Sequence, residues 1–256
     1  MSITKDQRAI IVSFDGNIGS GKSTTGEKYE HYIKESYAAS ASASAAASAE
    51  SGVTGITHLF PSIHSIDEIC FLDEPVNQWS NIRDNNGVDI LTNLYKDTKK
   101  HAFKFQMMAY ISRLALLRNA IKNPKIKLII TERSVETDRN VFAKMLYDTG
   151  DIAQDEYKIY TLWFDEFLQD VQLSGIVYVD ASPDVCVDRI KQRARPGETI
   201  HAEYIQRCHD YHETWINTKL CPVLTLPAND DVIGTPELLN DRIKRITIFI
   251  NTLIDK

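Results

Sequence analysis

Apolar residues along this chain fall into two kinds of run. Short stretches at 10–14, 69–72, 126–131, 176–179 and 223–226 are mainly apolar and rich in β-branched residues. They do not alternate, which is what parallel strands covered on both faces require. Between them lie longer stretches with apolar positions three or four apart, the spacing of helices. Strands separated by helices imply right-handed crossovers, and so an α/β fold: a three-layer sandwich around a five-stranded parallel sheet. Ligands in such folds sit beyond the carboxyl ends of the strands, so the residues after each run are the place to look for chemistry.

Two stretches need separate reading. The helical pattern from about 99 to 122 has an apolar stripe of Met107, Tyr110, Ile111, Leu114, Leu117 and Ile121, expected to face the core. Gln106, Ala109 and Arg113 cluster on an adjacent stripe, either as a pocket wall or as an ordinary solvated face. Residues 38–50 are almost wholly Ala and Ser and supply no core face. They are expected to form a solvent-facing insertion or mobile loop after the first helix, with no chemistry of its own.

A chain of 256 residues suits one domain, and its 43% hydrophobic and 25% charged content is that of a soluble globular protein. A net charge of −6 argues against general nucleic-acid affinity. Cys70, Cys186, Cys208 and Cys221 are scattered without C-x-x-C pairing, which favours free thiols in a reducing compartment. No run approaches a membrane span, and the first strand starts near Ala9, so no leader is expected and the cytoplasm is the expected location.

Directly after the first strand stands Gly16-Asn17-Ile18-Gly19-Ser20-Gly21-Lys22-Ser23-Thr24, which fits the G-x-x-x-x-G-K-[ST] phosphate loop in its required strand-to-helix setting. Its backbone N–H groups and helix start would face phosphate oxygens, Lys22 the β- and γ-phosphates, and Ser23 a Mg²⁺ ion. The second strand leads into Asp73-Glu74-Pro75, where a carboxylate stiffened by proline is placed as a general base. The third leads into Glu132-Arg133-Ser134: Arg133 is a candidate to stabilise a transferring phosphoryl group and Glu132 to help position Mg²⁺. Surface ion pairing is the alternative for each alone.

With GNIGSGKST, Glu74-Pro-Val-x-x-Trp79, Glu132-Arg-Ser and Arg189-Ile-Lys-Gln-Arg193-Ala-Arg195 in this order and spacing, the chain resembles the deoxyribonucleoside kinase family. The resemblance covers nearly the whole chain apart from the Ala/Ser stretch. Two departures are Asp15, where Glu is usual, and Pro196-Gly197 in a usually more acidic stretch. It implies one P-loop kinase domain over 1–256, with ATP as phosphate donor, Mg²⁺, and a deoxyribonucleoside phosphorylated on its 5′-hydroxyl in nucleotide salvage. An Arg-rich lid near 189–199 would bring Arg189, Arg193 and Arg195 to the triphosphate, though arginines at a helix end also suit its dipole.

Gln106, Ala109, Arg113 and Asp138 would read the base, with Asp138 held ionised by Arg113 and accepting from an exocyclic amine. That favours deoxycytidine and purine deoxynucleosides over thymidine. Tyr95 and Glu198 would hold the sugar 3′-hydroxyl, and Trp79, Phe105 and Phe142 would wall the pocket or simply pack in the core. A homodimer is implied, with no membrane or nucleic-acid partner. The rival readings are a thymidylate-type monophosphate kinase and a catalytically silent, kinase-like structural subunit.

Overall fold

The computed structural model describes residues 9–47, 59–168, 171–195 and 198–255. Its strands are β1 (Ile10–Asp15), β2 (Ile69–Leu72), β3 (Leu128–Glu132), β4 (Gly175–Asp180) and β5 (Val223–Pro227). They form one parallel sheet of five strands in the order β2-β3-β1-β4-β5. Its helices are α1 (Lys22–Ala47), α2 (Val76–Ser80), α3 (Ile90–Lys96), α4 (Thr98–Ile121), α5 (Val135–Thr137) and α6 (Lys144–Asp148). After these come α7 (Gln154–Leu168), α8 (Pro183–Arg193), α9 (Ala202–Asn217) and α10 (Pro236–Ile254). A π-helical stretch, Asp138–Ala143, joins α5 to α6.

Alternate strand residues feed opposite cores, which is why the runs are apolar throughout. Val12, Phe14, Leu128, Ile130, Val177 and Val179 pack with Tyr29, Ile33 and Tyr37 of α1 and Ile246 and Ile250 of α10. Ile11 and Ile129 pack instead with Tyr110 of α4 and Tyr160 of α7, while Ile176 and Tyr178 meet Cys208 and Trp215 of α9. Each large apolar side chain so buried contributes about 1.5–3 kcal/mol. The strand ends that carry the site therefore rest on a rigid frame.

Two expectations change. The Ala/Ser stretch does not follow the first helix but continues it: α1 runs to Ala47. Alanine is the strongest helix former. Ser36, Ser40 and Ser42 turn their hydroxyls back to the carbonyls of Tyr32, Ser36 and Ala38, at 2.8, 2.9 and 3.0 Å. Residues 48–50 lie outside the described ones. Ile111, placed on the core stripe, is 52% exposed, whereas Tyr110, Leu114 and Leu117 of that stripe are buried. At a helical step of about 100° per residue, Ile111 has turned past the edge of the face that Tyr110 and Leu114 bury.

Candidate active site

Beyond the end of β1 the chain turns through Gly16, Gly19 and Gly21, with φ of 149°, 81° and 91°. A Cβ on Gly16 would stand 2.5 Å from the Val179 carbonyl, and one on Gly19 2.6 Å from that of Cys186. Only glycine lets the loop lie this close to β4 and α8. Asn17 ties it to α9, donating to the Ile205 carbonyl at 3.0 Å. Ser20 Oγ is buried with no hydrogen-bond partner. Lys22 opens α1, and the next hydroxyl, Ser23, donates to the Glu132 carboxylate at the end of β3.

A cavity of about 250 Å³ opens over this loop, and at its centre the carboxyl ends of β2 and β3 meet α4. Glu74 Oε1 lies 3.0 Å from Arg113 Nη2 and 3.4 Å from Arg133 Nε. Both contacts fall on one oxygen, which leaves Oε2 for a substrate hydroxyl. The Arg113 fork also bonds Asp138 Oδ2 through Nε at 2.9 Å and the Glu132 carbonyl through Nη1 at 2.8 Å. Arg133 donates to the Gly16 carbonyl at 3.3 Å, and its guanidinium carbon lies 4.7 Å from the centre of the Phe142 ring. Its backbone is left-handed, with φ of 64°, a conformation that costs a non-glycine residue about 1–3 kcal/mol.

Gln106, Ala109 and Arg113 are all buried and line the cavity, so their stripe is a pocket wall rather than a solvated face. Gln106 Oε1 accepts no hydrogen bond, an unmet acceptor in a pocket. Trp79 meets Phe105 edge to face at 5.3 Å and donates to Ser112 at 2.9 Å. These rings, with Asp138 and Phe142, complete the same wall. Tyr95, Glu198, Arg193 and Arg195 also line the cavity, and Arg193 Nη2 bonds both Glu198 oxygens, at 2.6 and 2.7 Å.

Arg189 does not line the cavity. Its guanidinium is spent on the carbonyls of Ser20, Ala228, Asn229 and Asp230 at 2.8–3.3 Å, strapping the phosphate loop to the segment after β5. Ile18 lines the cavity, whereas Gly16, Asn17, Gly19, Ser20, Gly21 and Thr24 do not. Pro196 and Gly197 of the expected lid lie outside the described residues. The structure adds Glu27, Val76, Leu91, Leu94 and Tyr204 to the lining. Val76 lies within the Glu74-Pro-Val-x-x-Trp79 motif, which gave it no role of its own; Leu91 and Leu94 read in sequence as an ordinary helix face, and no motif marks Glu27 or Tyr204.

The charges are arranged for an anion at one end and a neutral polar group in the middle. Burial lowers the Lys22 ammonium to about 8, with Arg133 adding to the push and Glu132 and Glu74 opposing it. Phosphate oxygens between Lys22 and Arg133 would relieve that strain, so the loop fits a polyphosphate. Burial by itself would raise the Glu74 carboxyl, yet Arg133, Arg113 and Lys22 outweigh it and hold it at about 2. Burial raises Asp138, against the pull of Arg113. Burial, Glu198 and Glu74 keep the Tyr95 hydroxyl protonated well above its usual range, as a donor. For Mg²⁺, Ser23 and Glu132 bring a hydroxyl and a carboxylate together beside the phosphate loop, the hard oxygen donors such an ion takes. Asp180, His209 and Glu213 also have donor atoms within 4.8 Å of one another. They lie outside the cavity, and the Tyr178 hydroxyl already serves Glu213 at 2.8 Å.

A parallel sheet with a glycine phosphate loop after β1 and facing acids and arginines at its rim defines an α/β P-loop kinase fold. The deoxynucleoside kinase family model matches residues 51–251, and the chain belongs to that family. It is 35% identical to a probable deoxycytidine kinase of fowlpox virus over 191 residues, 71% of this chain and 78% of that one. It is 32% identical to human deoxycytidine kinase over 211 residues, 70% and 80% of the two chains. To the mitochondrial deoxyguanosine kinase of Xenopus laevis it is 30% identical, over 71% and 80%. The protein is thus an enzyme that phosphorylates deoxynucleosides. Among the described residues no helix is long and apolar enough to cross a membrane.

Proposed function

We propose that the enzyme transfers the γ-phosphoryl group of ATP to the 5′-hydroxyl of deoxyribonucleosides, favouring deoxycytidine and the purine deoxynucleosides over thymidine. The observation that carries this reading is Glu74: one oxygen gripped by two arginines, the other free, between the phosphate loop and the Gln106 wall. Bound Mg²⁺–ATP supplies the electrophilic phosphorus and the leaving group, with Ser23 and Glu132 as the residues that would hold the ion. Glu74 Oε2 orients the 5′-hydroxyl and takes its proton as the oxygen attacks. Lys22 and Arg133 stabilise charge on the phosphoryl oxygens, with Arg193 and Arg195 at the lid side. A weakly basic Glu74 suffices, because catalysis here is mainly positioning and electrostatics.

The base preference rests on Asp138. Held by Arg113 Nε at 2.9 Å, its carboxylate accepts from an exocyclic amine and disfavours the O4 carbonyl of thymine. Gln106 pairs with the base edge, and Tyr95 and Glu198 with the 3′-hydroxyl. The test is phosphate transfer from ATP–Mg²⁺ to deoxycytidine, deoxyadenosine, deoxyguanosine and thymidine at limiting concentration, with deoxynucleoside monophosphates alongside. Transfer to the first three, with thymidine at least about tenfold poorer in kcat/KM, is expected; tenfold corresponds to about 1.4 kcal/mol of discrimination. Thymidine as best acceptor overturns the Asp138 reading, and transfer only to monophosphates makes the protein a thymidylate-type kinase. No transfer at all restores the silent-subunit reading.

We assign the reaction to nucleotide salvage, as the resemblance implies, and the enzyme to the cytoplasm, a reducing compartment that suits its free cysteines. A homodimer through α4 and α7 accounts for the exposure of Ile111, Ile159, Leu162 and Trp163, at 52%, 44%, 66% and 49%. Sedimentation is expected to give twice the chain mass for the wild type and a monomer for Leu162→Glu/Trp163→Glu. A monomeric wild type at micromolar concentration rejects the dimer.

A further inference from the structure

Asp15 has no part in the mechanism above, yet it is wholly buried at the end of β1 and accepts three hydrogen bonds. Its Oδ1 accepts from the Ser134 backbone N–H at 3.1 Å and from the Thr137 hydroxyl; Oδ2 accepts from the Ser13 hydroxyl. Among the described residues no cation pairs with it.

Those partners flank the residues that do the chemistry. Ser134 directly follows Arg133, whose own N–H donates to the Phe14 carbonyl at 3.0 Å. The end of β1 therefore grips the backbone on both sides of the Arg133 α-carbon, and the grip spans the one described active-site side chain with left-handed backbone, φ 64°. Such a conformation persists only where its surroundings impose it. The next residue of β1's turn, Gly16, accepts from the Arg133 side chain at 3.3 Å. On the other side Thr137 directly precedes Asp138, the base-reading carboxylate. Thr137 is fully buried, and its N–H is capped by Ser134 Oγ at 3.1 Å.

From this geometry we infer that Asp15 is a positioning residue for phosphoryl transfer: its carboxylate imposes the left-handed backbone of Arg133 and, through Thr137, sets Asp138. It couples the phosphate-loop side of the site to the acceptor side without touching either substrate. The inference rests on the functional reading proposed above.

A buried carboxylate with no cation beside it costs stability, because burial penalises charge. Asparagine has the same shape, and its amide NH₂ can turn to the Ser13 hydroxyl while its oxygen keeps the Ser134 N–H. The charge-assisted bond becomes a neutral one of roughly half the strength. Asp15→Asn is therefore expected to hold or raise Tm while kcat falls about tenfold or more, with ATP affinity unchanged within about twofold. A residue with a merely structural role gives the opposite pattern, losing Tm along with activity.

The measurements are single-turnover rate, deoxynucleoside KM, ATP binding by calorimetry and thermal unfolding, on Asp15→Asn and on Thr137→Val. The second variant keeps the Asp15 carboxylate but removes the hydroxyl that joins Asp15 to Ser134 Oγ, and it is expected to slow turnover by about threefold or more at unchanged ATP affinity. A wild-type rate in both variants overturns the inference, as does a loss of rate matched by loss of Tm and ATP binding. Glu74→Gln run in parallel separates the two levels. If it retains full activity the functional reading fails; if it is inactive while Asp15→Asn is fully active, only the positioning role fails.

Discussion

Glu74→Gln is expected to lower kcat by about a thousandfold, the middle of the range for losing a positioned general base. The amide matches the carboxylate in shape and can still accept from Arg113 and Arg133, so the site keeps its geometry, but it cannot take the hydroxyl proton. ATP affinity is expected to stay the same or to tighten slightly. The carboxylate now sits among Lys22, Arg113 and Arg133, and removing its charge leaves those cations seeking an anion. Single-turnover transfer together with calorimetric ATP binding separates chemistry from binding. A variant within about tenfold of wild type in kcat rejects Glu74 as the proton acceptor, since a base is worth at least about a hundredfold.

How much of this was legible follows from which interactions are local. The five strands were readable to within two residues at each end, because a parallel strand covered on both faces cannot hide a polar residue without a partner. The phosphate loop was readable because its glycines, lysine and serine are contiguous, and the Gln106, Ala109 and Arg113 stripe because it follows helical spacing. Contacts across the fold were not. Nothing in the sequence indicates that one Arg113 fork holds Glu74, Asp138 and the Glu132 carbonyl together, although its pairing with Asp138 was expected from the resemblance. Arg189 belongs by sequence to an arginine triplet, but its surroundings of free carbonyls decide its use. The Ala/Ser stretch departs from expectation for another reason: its alanines carry α1 onward by helix propensity, without any core face.

Arg113 is the residue whose loss should do most damage to the fold and the site together. Burial works against its guanidinium, and Asp138 and Glu74 more than offset that. Arg113→Met fills similar space but leaves two carboxylates without their shared cation. Breaking a buried pair from one side costs about 3–5 kcal/mol. In a chain of this size that corresponds to a Tm lower by about 6–20 °C. The pH dependence carries the sign. In the wild type the folded-state Glu74 carboxyl lies at about 2, below its ordinary value of 4.5. Its contribution to stability is therefore present above 4.5 and lost as pH falls towards 2. Without Arg113, Glu74 rises and Asp138, already raised by burial, rises further. Carboxyls raised in the folded state bind protons more readily there than in the unfolded chain, so acid stabilises the variant relative to the wild type. The Tm deficit is expected to be greatest near neutral pH and to narrow as pH falls towards about 4. Over the same window the acid limb of kcat/KM should move to higher pH in the variant than in the wild type, as Glu74 takes up the proton it must be free to accept. Calorimetric unfolding and initial rates across that pH range test both. A deficit that stays constant or widens towards acid means that Arg113 is not what holds the two carboxylates ionised.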